Sequence, residues 1–267
     1  MDCAKGINFL LTNGGAIQDY HGFGKATKPM LPSIGVPTTS GTGSEAQSYA
    51  LISDASTHVK MACGDRKARF RAVILDPDLT ISAPQQVKAN AGYDALAHAV
   101  ESYVCTKANT ISRMYAREAF RLLDGALVAF VEGDGVAATD TLLGAHLAGM
   151  AIEASMLGAA HACANPLTAE YGTIHGVAVG AMLPTVVDYN LADGTDRYAG
   201  LTDRPNIVER LMDVRSSIGL PERLRDLGVQ EEAVPELAKA ASEQWTGTHN
   251  PRPVDANVCQ ELYEAAY

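Results

Sequence analysis

The chain has 267 residues and a mass of 28.2 kDa, enough to bury a sizeable core without metal or disulfide staples. Hydrophobic residues make up 47% and charged residues 19%, a balance that excludes wholesale disorder. Twenty-one Lys and Arg face 31 Asp and Glu, for a formal net charge of −10. With no cationic cluster to neutralise phosphates, nucleic acid is not an expected partner. Five scattered cysteines without a CxxC pair fit reduced thiols in a cytoplasmic protein better than a secreted disulfide framework. The richest apolar stretch, Leu142 to Ala164, is broken by His146, Glu153 and His161, so no membrane helix is expected. The opening MDCAKGINFL lacks a signal peptide's basic start and cleavage site.

In chain order, Asp2 to Leu11 carries apolar residues at helical spacing, and Asn13-Gly14-Gly15 supplies the stop. A polar stretch follows, and LPSIGVPTTS predicts a short strand entering a Thr/Ser/Gly-rich loop, Thr38 to Ser44. SYALISD and HVKMACG flank Asp54-Ala55-Ser56-Thr57 and predict a hairpin. The compact apolar run Ala72 to Leu75 predicts a buried strand, with Pro77 and Pro84 punctuating its exit. Beyond Pro84 the spacing changes to threes and fours. Helices are predicted through VKANAGYDALAHAVESYV, SRMYAREAFRLLDGALVAFVEG and TLLGAHLAGMAIEASMLG, then over 177–190, 206–218, 235–244 and 255–266. The expected organisation is an α/β segment over residues 1–84 followed by an all-α domain over residues 85–267.

Two groups of residues could carry chemistry. Asp94 and His98 are four apart and share one helix face. A carboxylate beside an imidazole suits a divalent transition metal, although such a pair is more often a solvated surface contact. The neighbours Ala95, Leu96, Ala97, Ala99 and Val100 point to burial, where an unpaired carboxylate is costly. His161 is expected at a helix end, with Asn165-Pro166 bending the chain before His175. A lone histidine there would be an ordinary core residue; two around one bend raise the case for a metal. The absence of cysteine pairs excludes a zinc finger.

Taken together, PTTSGTGSEAQ, ILDPDLT, AGYDALAHAVESY and HACANPLTAEYGTIHG resemble the iron-containing alcohol dehydrogenase family, whose fold is shared with glycerol dehydrogenase and dehydroquinate synthase. The resemblance runs from Met1 to the C-terminal NPRPVDANVCQELYEAAY. It implies a partial α/β dinucleotide-binding domain followed by an all-α metal-binding domain, and a hydride transfer between NAD or NADP and a small alcohol or aldehyde. By this resemblance Asp94, His98, His161 and His175 match the four metal ligands, holding Fe²⁺ or alternatively Zn²⁺. Asp2, Thr38, Thr39, Thr42, Lys60 and Leu79 match cofactor contacts. One carboxylate and three neutral imidazoles around a divalent ion would leave one net positive charge, favourable for an alkoxide. A fifth coordination position is easier for Fe²⁺ than for Zn²⁺.

Two departures from the family's pattern stand out. Asn165 replaces a second histidine that many members carry, and Asn cannot take up a proton near neutral pH; His249 is a distant alternative for a proton relay. The family's Gly-Gly-Gly-Ser phosphate loop would stand just before Met1, so weakened dinucleotide binding is expected. A catalytically silent metal-binding protein is therefore the alternative expectation, and a lyase like dehydroquinate synthase ranks third. Exposed sheet edges are expected to drive a homodimer or larger assembly.

Overall fold

The computed structural model describes residues 1–54 and 60–267. The chain opens on helix α1 (Asp2–Asn13), which stops at Gly14, whose φ of 79° glycine adopts without a Cβ clash. Its inner face buries Phe9 against Tyr20, with ring centroids 5.0 Å apart. Five short strands follow: β1 (Gly22–Phe23), β2 (Ile34–Gly35), β3 (Tyr49–Ser53), β4 (Lys60–Gly64) and β5 (Ala72–Val73). β3 and β4 pair antiparallel from Tyr49 opposite Gly64 to Ser53 opposite Lys60, as the sequence predicts. The expected turn, with residues 55–59, lies outside the described residues. β1 adds to β4 in parallel, and β2 pairs with β5 as a separate two-stranded unit.

The predicted buried strand at 72–75 is corrected. Only Ala72 and Val73 are in β5, and Ile74 is 53% exposed. β5 has β2 as its only strand partner among the described residues, and the equally apolar Ile34 beside it is also exposed. A run of β-branched residues reports strand conformation more reliably than burial.

After the single turn α2 (Asp78–Ile81), eight helices build the larger core. They are α3 (Gln85–Val104), α4 (Thr110–Glu132), α5 (Ala137–Ala154), α6 (Ala159–Tyr171), α7 (His175–Leu191), α8 (Ile207–Ser217), α9 (Val234–Ser242) and α10 (Ala256–Ala266). α3 is buried from Gly92 to Val104 and packs on α4, α5 and α7. Its small residues permit that centrality: a Cβ on Gly92 would lie 2.1 Å from Leu127. A smaller N-terminal core gathers Phe9, Tyr20, Ala50, Met61 and Cys63. No single helix among the described residues is long and apolar enough to cross a membrane.

Two local expectations also change. Asn165-Pro166 makes no bend; Pro166 lies inside α6, which runs on to Tyr171 and turns at Gly172, φ 64°. Packing of Ala164 and Leu167, both fully buried, holds the helix together across the hydrogen bond that proline cannot donate. The sequence around Trp245, EQWTGTHNPRP, predicts a C-terminal loop packed on the bundle by that ring; in the structure Trp245 is 44% exposed and meets Tyr49 of β3 at 6.3 Å.

Polar contacts join the two cores. Glu153 on α5 accepts from the backbone N–H and hydroxyl of Ser48 at 2.9 and 3.1 Å, and from Arg69. His146 lies 3.1 Å from Glu45, and the backbones of Gly43 and Gly149 approach so closely that a Cβ on either would collide.

Candidate metal centre

Helical periodicity places Asp94 and His98 one turn apart on α3. The short link between α6 and α7 brings His161, near the start of α6, back toward His175, the first residue of α7. All four side chains converge. Asp94 Oδ1 is the hub, 3.5 Å from Nε2 of His98, 3.4 Å from Nε2 of His161 and 3.7 Å from Nε2 of His175. One ligand atom each from Asp94, His161 and His175 lie mutually within 4.8 Å. His98 falls outside that mutual set but joins it through Asp94, and its ring stacks on His161 at 4.9 Å.

These separations are too long for good hydrogen bonds, and Asp94 Oδ1 and His161 Nε2 are both buried without a hydrogen-bond partner among the described residues. Donors sharing one ion at about 2.1 Å and a tetrahedral angle stand about 3.4 Å apart. The geometry and the donor chemistry therefore fit a divalent Fe, Zn, Co or Ni ion. Asp94, His98 and His161 expose at most 7% of their side chains, against 27% for His175. The site is accessible from the His175 side.

The electrostatics of the protein groups alone point the same way. Burial pushes the Asp94 carboxyl up, but His98, the contact with His161 and His175 outweigh it and hold it well below the usual carboxylate range. Burial lowers His98 to about 4 and His175 to about 3, in both cases against the attraction of Asp94. His161 moves the other way, to about 9: burial is overcome by Glu101 and by Asp94. Thus two imidazoles are kept neutral, as metal ligands must be, while the third takes the positive charge that the carboxylates demand.

Glu101 is the functional residue that sequence reasoning missed. Its Oε2 lies 2.5 Å from His161 Nδ1, and its Oε1 accepts the Ala160 N–H at 2.7 Å. It is 4% exposed. The signal was available: Asp94, His98 and Glu101 are spaced four and then three apart, one face of one helix. Glu101 also revises the charge count, because with two carboxylates a divalent ion leaves a neutral centre rather than one net positive charge.

The expected cofactor contacts are more dispersed. Asp2 accepts from the Ser44 hydroxyl and, at 3.1 Å, from the Leu51 N–H, so it braces the hydroxyl-rich loop. Thr38, Thr39 and Thr42 are exposed on that loop and Leu79 is 42% exposed on α2. Lys60 on β4 is close enough to His175 to oppose its protonation. Asn165 donates to Gln244 at 3.0 Å. His249 is half-buried, and burial and Lys107 lower its pKa.

Known proteins resemble this chain along its whole length. Residues 1–77 match the family model of iron-containing alcohol dehydrogenase, and residues 88–267 match that of the C-terminal part of the Fe-containing alcohol dehydrogenase family. The chain is 32% identical to the NAD-dependent methanol dehydrogenase of Bacillus methanolicus over 94% of its own length and 70% of that protein's. It is 31% identical to lactaldehyde reductase of Escherichia coli K12, over all of this chain and 74% of that one. The crystal structure of a 1,3-propanediol oxidoreductase superposes with a TM-score of 0.94 at 32% identity, covering 100% of this chain and 74% of the other.

Proposed function

The chain belongs to the iron-containing alcohol dehydrogenase family, and from that membership we propose that it is a metal-dependent oxidoreductase moving a hydride between NAD(P) and a small alcohol or aldehyde. The observation that carries the reading is the convergence of three imidazole Nε2 atoms on Asp94 Oδ1. When bound, the ion supplies Lewis acidity toward the substrate oxygen and the dinucleotide gives or accepts the hydride. Asp94, His98, His161 and His175 would hold that ion, with Fe²⁺ the preferred occupant and Zn²⁺ the alternative. The names of the methanol, lactaldehyde and propanediol relatives support short alcohols and aldehydes as the substrate class.

The protein's own groups define how that substrate would sit. The exposed edge of His175 gives it access, and the aliphatic helix α3 excludes water from the other side. Thr38, Thr39, Thr42, Lys60 and Leu79 would line the path of the dinucleotide, braced by Asp2 behind the loop. The division of labour falls near residue 84, between the cofactor-facing α/β part and the metal-bearing helices. The five free cysteines suit a reducing cytoplasmic compartment, and the exposed Ile34 and Ile74 suit a homodimer or larger assembly.

The test is aldehyde-dependent oxidation of NADH and NADPH, before chelation, after it and after Fe²⁺ is restored. Activity lost to chelator and recovered with Fe²⁺ is the expected result. Activity indifferent to chelator contradicts the mechanism. Ion uptake with no dinucleotide binding replaces it with a silent metal-binding role.

A further inference from the structure

We propose that Glu101 is a positioning residue for the metal centre: it fixes His161 in the tautomer whose Nε2 faces Asp94 and ties the start of α6 to α3. The inference rests on the metal reading above and assigns a role that the four ligand residues do not account for.

A neutral imidazole carries one N–H, and the group behind it decides which nitrogen keeps that proton. Glu101 Oε2, at 2.5 Å from Nδ1, accepts it there, so that an arriving ion displaces the Nε2 proton and meets the Nε2 lone pair. Such carboxylate–histidine arrangements orient a ligand and raise its basicity. His98 and His175 lack a carboxylate partner of this kind: His98 has a backbone contact with Gly41, and the buried Nδ1 of His175 has no hydrogen-bond partner among the described residues. The three histidines are therefore unequal, and His161 is the one backed by a carboxylate among the described residues.

The other oxygen serves the helix. The first N–H groups of α6 have no acceptor within the helix. Ala160 N–H donates to Glu101 Oε1 at 2.7 Å and Ala159 N–H to Asn250 Oδ1 at 3.3 Å. A carboxylate is favoured at a helix N-terminus, and Glu101 occupies that place at the start of α6. Gly158 makes room for the arrangement: a Cβ there would stand 2.9 Å from Glu101 Oε1 and 3.0 Å from Asn250 Oδ1. One side chain thus links the two helices that supply Asp94, His98 and His161.

The experiment titrates Co²⁺ into the chelator-stripped full chain and follows the visible ligand-field bands, for wild type and Glu101→Gln. Gln keeps the shape and an acceptor for Ala160 but removes the charge. Thermal unfolding without metal is measured alongside. The expected result is Co²⁺ affinity weaker by about 10- to 100-fold with shifted bands, while metal-free unfolding stays close to wild type. Wild-type affinity and wild-type bands in Glu101→Gln overturn the inference alone. A wild-type chain that takes up no Co²⁺ overturns the metal reading and this inference with it. Should Glu101→Gln fail to fold, Glu101→Asp decides: its shorter reach is expected to weaken Co²⁺ binding, and unchanged binding overturns the proposal.

Discussion

A carboxylate oxygen cannot satisfy three imidazole nitrogens that stand 3.4 to 3.7 Å away from it, and burial makes the mismatch costly. That cost is a sign of function, because the core could have been filled with aliphatic residues instead. Asp94 and His98 were legible from their spacing, whereas the convergence of His161 and His175 required the path of α6 and α7. Glu101 went unseen because a glutamate after an apolar run reads as a surface residue until its burial is known. Lys5 is a comparable case outside the centre. It is 2% exposed, and its ammonium donates to the carbonyls of Ser44, Gln47 and Tyr49 at 2.6 to 2.8 Å. Lys5→Met strips those carbonyls of their donor, so a loss of about 3 kcal/mol is expected, read as a lower urea midpoint. An unchanged midpoint would show that the loop holds itself.

The helices owe their placement to residues that are nearly absent as side chains. Gly176, directly after His175, sits so close to α3 that a Cβ would lie 2.0 Å from the Asn90 carbonyl oxygen. Gly176→Ala must push α7 away from α3 and carry His175 away from Asp94. Overpacking of this kind costs about 1 to 3 kcal/mol, and a loss of ion affinity should accompany the drop in thermal midpoint. Unaltered Co²⁺ binding would show that His175 is not held by this contact. Periodicity predicted these helices well because their repeated apolar spacing is long. It misread Pro166, where tertiary packing of Ala164 and Leu167 overrides the local preference of proline to break a helix, and it overstated the burial of β5, where β-branched composition carries no information about what covers a strand.

At the scale of the whole molecule, the hydroxyl-rich loop depends on the helical core across the junction. Glu153 receives the Ser48 N–H and hydroxyl while also engaging Arg69. Glu153→Gln keeps one acceptor but loses the charge, so kcat/KM should fall through dinucleotide affinity while Co²⁺ binding is preserved. A variant that lost the ion but kept its affinity for NADH would place Glu153 with the metal instead. The general architecture was legible from the change in apolar spacing near Pro84, but these cross-contacts join residues about a hundred positions apart and have no local signature. The centre itself is tested most directly by diffraction at the iron absorption edge, from crystals of the full chain loaded with Fe²⁺. A single anomalous peak bonded to Asp94 and the Nε2 atoms of His98, His161 and His175 is the predicted result. A correctly folded protein with no peak among those four side chains would contradict it.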